Sequence, residues 1–336
     1  MHILLTGGAG YIGSHIAKLL STDENTKVTI VDNLTGGSFD SISVLKRMFK
    51  PQNFNFIQLN LNNQVELIKV FESTHFDAVI HLAANLQVSE SVSNPLKYYL
   101  NNTVNSTNLI NICLKHKIKN FVFSSTAAVY GHPTTFPVTE NTTKNPINPY
   151  GMSKLMTENI LKDVSSAHSD FNYVALRYFN VAGADFDGLL GECHIPETHL
   201  IPLAIRAALG EKKQLSLYGD NYETPDGTCI RDYIHVNDLA RAHIKAIDYL
   251  MENNMSNTFN CGYNAGFSVK QVIDVIKNIS NSNFKVIIKE KRAGDPAILI
   301  ADNNKIKTIL DWCPQHNNLE QICKTAYMWE KTMLNK

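Results

Sequence analysis

The amino-acid sequence predicts an α/β protein with a doubly wound parallel sheet and a smaller, intertwined C-terminal α/β unit. Three observations carry that expectation. Short apolar runs alternate with longer amphipathic stretches through the first half, a glycine-rich turn links the first run to the first helical stretch, and the rhythm breaks near Phe179. A chain of 336 residues exceeds one ordinary core, and 44% hydrophobic against 18% charged residues is enough to bury a large one.

The strand-like runs are His2–Leu5, Val28–Val31, Phe54–Leu59, Ala78–Leu82, Phe121–Ser124 and Tyr173–Arg177. Helical patterns lie between them at Ile12–Leu20, Val65–Phe71, Asn105–Leu114 and Lys154–Val164. Such alternation favours a parallel sheet covered on both faces, because a parallel crossover needs a helix to return the chain. Beyond Phe179, the Gly-, Pro- and acid-rich segment Val181–Thr198 reads as loops. A helix at Leu200–Leu209, a strand at Leu215–Tyr218 and a polar turn at Asp220–Thr228 follow. The helix Val236–Leu250 and strand Thr258–Cys261 are expected to rejoin the first unit. Helices Val269–Ile279 and Leu319–Met333 around strand Lys285–Lys289 complete the second. The expected division is therefore 1–178 plus about 236–265 for nucleotide binding, and 179–235 plus 266–336 for substrate.

A formal charge of zero argues against nucleic-acid or anionic-membrane partners, so an anionic ligand must be held by a few local groups. The six cysteines are scattered without a C-x-x-C pair, which fits reduced, mostly buried thiols. With no apolar run long enough for a membrane span and no visible signal peptide, the expected location is cytoplasmic.

Gly7, Gly10 and Gly13 follow the first strand and open the first helix as G-x-x-G-x-x-G. The first permits a tight turn, the second a close approach of pyrophosphate, and the third close packing of helix on sheet. Asp32 ends the second strand, 19 residues past Gly13, where a carboxylate accepts from the ribose hydroxyls and repels a 2′-phosphate. A Rossmann-type site for NAD rather than NADP follows.

Tyr150 and Lys154 stand at i and i+4 on one helical face, so the ammonium is expected to lower the phenol's pKa and make it a general base. The motif recurs by chance among 13 tyrosines, as Tyr327–Lys331 shows, and that copy reads as surface packing. Tyr150 differs in its setting, behind Pro149 at a helix start and 24 residues after Thr126. Ser124, Ser125 and Thr126 end an apolar strand, where open α/β sheets collect ligands.

These motifs resemble the extended short-chain dehydrogenase/reductases. Longer stretches are similar to the UDP-sugar 4-epimerases of that family, those acting on UDP-glucose and UDP-galactose. The stretches are Leu5–His15, Phe123–Gly131, Asn148–Lys154, Leu176–Asn180 and Asp226–Val236. The resemblance implies reversible epimerisation at C4 through a transient 4-keto sugar with NAD tightly bound, no metal, and a homodimer through helices near Asn105–Leu114 and Lys154–Val164. It implies Thr126, Tyr150 and Lys154 as the catalytic trio. NAD would be touched by that trio and by Gly7, Gly10, Tyr11, Ile12, Gly13, Asp32, Asn33, Asn60, Leu61, Leu82, Ala83, Ala84, Asn101 and Phe179. The UDP-sugar would be held by Thr126, Tyr150, Asn180, His199, Leu200, Tyr218, Arg231, Arg292, Asp295 and Leu299. The arginines suit a diphosphate, which a guanidinium binds in bidentate fashion.

Several positions depart from the family pattern. Asn60 replaces a common aspartate, Leu86 a lysine near the cofactor, Thr126 a commoner serine, and His199 an asparagine. Leu299 stands where hexose-only members carry tyrosine, which implies added activity on UDP-GlcNAc and UDP-GalNAc. A 4,6-dehydratase would carry Asp-Glu where this chain has Ala127-Ala128, and a UDP-glucuronate epimerase stays open. A non-catalytic NAD-binding regulator is the reading from another class; such proteins usually lose the tyrosine or lysine, and both are present.

Overall fold

The computed structural model describes residues 1–292 and 295–334. Six strands come first: β1 (His2–Thr6), β2 (Lys27–Asp32), β3 (Phe54–Gln58), β4 (Ala78–His81), β5 (Asn120–Thr126) and β6 (Asn172–Tyr178). Four short ones follow, β7 (Asn180–Ala182), β8 (Leu215–Tyr218), β9 (Ile230–Arg231) and β10 (Tyr233–His235). Last come β11 (Asn257–Cys261), β12 (Phe267–Ser268), β13 (Val286–Lys289) and β14 (Ile298–Leu299).

The main sheet has the order β11-β6-β5-β4-β1-β2-β3, and every pairing in it is parallel. This is the expected Rossmann-type sheet, with β11 added at one edge. The alternation of side chains along each strand divides its two faces. Ile3, Leu5, Val28 and Ile30 face one cluster, while Leu4, Val31, Phe121 and Phe123 face the other. Both faces are covered, which is why the strands read as continuous apolar runs.

Helices α1 (Tyr11–Leu20), α2 (Phe39–Met48), α3 (Gln64–Ser73), α4 (Val88–Ser93), α5 (Pro95–Tyr98), α6 (Asn105–Lys115) and α7 (Pro149–Ala167) link the first strands. Ile16 and Leu20 of α1 join the first face, and Leu67 of α3, Leu109 of α6 and Leu161 of α7 join the second. Later come α8 (Leu200–Ala208), α9 (Val236–Asn253), α10 (Val269–Ser280), α11 (Asn304–Leu310) and α12 (Leu319–Leu334). Leu239, Ala246 and Leu250 of α9 return to the first face and precede β11.

The expected loop at Val181–Thr198 needs correction at its start, because Asn180–Ala182 is a strand parallel to Tyr233–His235. Three residues are too few to show alternation in sequence. Helix α2 is absent from the sequence reading because its apolar face is thin. Only Ile42 and Leu45 are buried, while Ser38 caps it by accepting from the Asp40 amide at 3.1 Å. Tyr327 and Lys331 both lie on α12, Tyr327 half-buried against the core and Lys331 exposed. The six cysteines are all free thiols, with Cys313 exposed. Among the described residues no helix is long and apolar enough to cross a membrane.

Candidate active site

The strand order reverses between β1 and β4, so a crevice opens beyond their carboxyl ends. Gly7 turns there with φ +76°, and a Cβ on it would lie 2.7 Å from the Ala83 nitrogen. A Cβ on Gly13 would lie 2.4 Å from the Gly7 carbonyl. Gly10 caps α1 without a side chain, leaving the Tyr11 and Ile12 amides with no intrahelical acceptor. Those donors and the helix dipole fit a pyrophosphate. The Tyr11 hydroxyl is occupied elsewhere, donating to the Gly183 carbonyl at 2.5 Å.

The buried Asp32 carboxylate accepts from the Ala9 amide at 3.0 Å and the Leu34 amide at 2.8 Å, and so ties the glycine turn to β2. Burial pushes its pKa up, against the pull of those two amides. Asn33 beside it is exposed. Asn60 lies just past β3, accepting from the Asn62 amide at 3.1 Å, with Leu61 buried next to it. Leu82, Ala83 and Ala84 follow β4 and stay half-buried. Asn101 sits on a wide helical turn, Tyr99–Val104, and donates to Asn102 Oδ1 at 3.0 Å. An open amide cradle beside an acid at the end of β2 fits an adenine dinucleotide. Gly13→Ala is expected to leave the circular dichroism spectrum native but to abolish retention of NAD, read by extracting the cofactor from purified protein.

Register places Thr126 opposite Tyr178 at the carboxyl ends of β5 and β6. Asn148 starts α7, its side chain accepting from the Gly151 amide at 2.8 Å with Pro149 in the first turn, so Tyr150 stands at the helix mouth. Desolvation pushes the Tyr150 phenol up, and its interaction with the Thr126 hydroxyl pulls it back down. Lys154, buried one turn on, donates to the Ser124 carbonyl at 2.8 Å, and burial lowers it to about 7. Lys154 is thus held on a strand carbonyl, and the Thr126 hydroxyl is the group that pulls the phenol down here.

The remaining predicted residues fall into further groups. Phe179 is buried with Ala127, Val129, Tyr130 and Ala301, and Leu299 packs on that cluster. Leu299 is in register with Arg231, whose Nη2 donates to Asp295 at 3.0 Å. The Arg292 guanidinium stacks 4.0 Å from the Tyr218 ring. Asn180 lies on β7, its backbone amide donating to the Asp232 carbonyl at 3.0 Å. His199 caps α8 and Leu200 begins it. His199 Nδ1 lies 2.8 Å from Glu192 Oε1 and 2.9 Å from Glu197 Oε1. Burial favours the neutral ring, but the two carboxylates outweigh it and raise His199 to about 10.

Sequence reading gave no role to Glu158 and Arg177, which hold this arrangement. Glu158, one turn beyond Lys154, accepts from Arg177 Nε at 2.9 Å and Nη2 at 2.6 Å, and from the Ser125 hydroxyl. The pair clamps α7 onto β5 and β6. Arg177 Nη1 also donates to the Tyr130 hydroxyl at 2.9 Å. Ser124 shares a hydrogen bond with the Tyr178 hydroxyl.

Known proteins share this architecture. The sequence model of the NAD dependent epimerase/dehydratase family matches residues 3–262. A UDP-glucose 4-epimerase from Halalkalibacterium halodurans is 43% identical over 331 residues, covering 98% of this chain and 96% of that protein. The solved UDP-Glc/GlcNAc 4-epimerase of Campylobacter jejuni is 48% identical with a TM-score of 0.86, covering 98% of this chain and 99% of that one. The UDP-glucose 4-epimerase of Bifidobacterium longum, in complex with NAD+ and UDP, is 35% identical with a TM-score of 0.94, covering 100% and 99%.

Proposed function

Because this chain belongs to the NAD dependent epimerase/dehydratase family, we propose that it interconverts UDP-glucose and UDP-galactose by inverting the sugar C4. It is an NAD-dependent isomerase. The observation that carries the reading is the Thr126–Tyr150–Lys154 group at the carboxyl end of β5, beside the glycine cradle at the end of β1.

NAD would lie on the Gly7–Gly13 turn with its ribose toward Asp32, and the chemistry it supplies is reversible hydride exchange with the sugar C4. Tyr150 takes the C4 hydroxyl proton, directly or through Thr126, and returns it to the opposite epimer. Lys154 holds the end of β5 through the Ser124 carbonyl. Arg231 and Arg292 hold the diphosphate, with Tyr218, Asn180, His199, Leu200 and Asp295 around the nucleotide. A fixed nucleotide lets the 4-keto sugar turn about its bonds to UDP and present its other face. Ala127 and Ala128 offer no acid–base pair for dehydration.

The test is to incubate the protein separately with UDP-glucose, UDP-GlcNAc and UDP-glucuronate and identify products by proton NMR. Conversion of UDP-glucose to UDP-galactose supports the reading, and no C4 epimer from any of the three overturns it. Leu299, packed beside Ala127 and Phe179, is smaller than the tyrosine of hexose-only members, so turnover of UDP-GlcNAc is also expected. Leu299→Tyr should cut that turnover about 10- to 100-fold while sparing UDP-galactose, measured as the ratio of the two kcat/KM values.

The active form is a homodimer. Val92, Leu96 and Leu100 are 63%, 69% and 60% exposed along α4, α5 and the wide turn, and Met156 of α7 is exposed as well. Such an apolar stripe suits a self-complementary interface. Light scattering should return twice the 37.6 kDa chain mass.

A further inference from the structure

We propose that Glu192, His194, Glu197 and His199 form a binding site for one divalent transition-metal ion of the zinc class. The segment repeats Glu-x-His twice, at 192–194 and 197–199, ahead of α8 and without regular secondary structure. One ligand atom from each residue lies within 4.8 Å of all the others. Around a zinc ion with bonds of about 2.0–2.1 Å, four such atoms would stand about 3.3 Å apart, so a modest contraction closes the shell.

The existing hydrogen bonds account for only part of this cluster. Glu197 Oε1 accepts from the Thr198 amide at 2.6 Å, the His199 amide at 2.7 Å and the His199 ring at 2.9 Å. Its other oxygen, Oε2, is buried with no hydrogen-bond partner, although the residue is only 8% exposed. A histidine bracketed by two carboxylates explains the crowded oxygen and leaves the bare one unexplained. A buried carboxylate oxygen without a partner is costly, and a metal ion would satisfy it.

The donor set chooses the ion. Two imidazole nitrogens and two carboxylate oxygens suit zinc and its neighbours rather than magnesium, which prefers oxygen and water. Two carboxylates balance the divalent charge. The two amides on Glu197 fix its orientation as outer supports commonly do, and the Glu192 carbonyl accepts from Trp329 Nε1 at 2.7 Å. His194 and His199 side chains are 15% and 39% exposed, which leaves an entry path. Binding would displace the protons shared between the rings and the carboxylates and pin the segment that leads into α8.

The test is isothermal titration of chelator-treated full-length protein with Zn2+ alone and, separately, Mg2+. Wild type and Cys193→Ser should bind one Zn2+ per chain and no Mg2+. His194→Ala and Glu197→Gln should each weaken Zn2+ binding by about 100-fold or more. Circular dichroism establishes that each variant is folded. Cobalt(II) added to the wild type should show the visible bands of a four-coordinate ion without a thiolate charge-transfer band. No saturable Zn2+ binding, binding unchanged in both folded variants, or a thiolate band would overturn the site.

Discussion

Tyr150→Phe is expected to lower kcat for UDP-galactose epimerisation by about 10²–10⁴-fold while leaving NAD bound and KM within a few-fold. The substitution removes one hydroxyl from a ring held in T-shaped contact with Tyr98 at 6.5 Å, so the site keeps its shape and loses its proton acceptor. Because desolvation holds the phenol high and Thr126 pulls it down, Thr126→Val should move the alkaline rise of kcat/KM to higher pH. Steady-state rates across pH check both. A Tyr150→Phe enzyme with near wild-type turnover would remove the phenol from the mechanism.

Glu158→Ala is expected to destabilise the fold by about 3–5 kcal/mol, because it strands the Arg177 guanidinium in the interior. The double variant Glu158→Leu with Arg177→Met should recover much of that loss, since a buried ion pair is often replaceable by apolar groups of similar volume. Urea denaturation at fixed NAD concentration reads both. The double variant should nonetheless turn over more slowly than wild type. Its α7 would no longer be registered on β5 by the Ser125–Glu158 contact that sets Tyr150 against Thr126. Equal stability of Glu158→Ala and wild type would show that the pair carries no weight.

Much of the main sheet was legible because its strands are buried on both faces and so announce themselves as apolar runs, as Ile3–Leu5 and Phe121–Phe123 do. The glycine turn and Tyr150–Lys154 were legible because spacing alone places them at strand ends and on one helix face. Helix α2 was not, since Phe39 is 61% exposed and its polar residues hide the period. The short helices Val88–Ser93 and Pro95–Tyr98 were also missed, because apolar side chains pointing outward break the pattern that burial would impose. The state of Lys154 was illegible for another reason. Spacing states that an ammonium neighbours a phenol, whereas desolvation depends on everything that surrounds both. The Glu-x-His repeat was present in the sequence, but only its second histidine drew attention, as a substrate contact.

The position of β11 has a consequence for how the chain comes to be built. It pairs with β6 from Asn257↔Val174 to Cys261↔Tyr178, yet it is translated only after the whole stretch between them. A nascent chain that has folded β1 to β6 therefore carries an unclosed ladder edge along Val174–Tyr178 until residue 261 clears the ribosome. During that interval the growing chain is open to pairing with the same edge on a neighbour. Helix α9, immediately upstream of β11, emerges first and covers the adjoining face with Leu239, Ala246 and Leu250. The order of synthesis thus sheathes the apolar face before the last strand seals the rim.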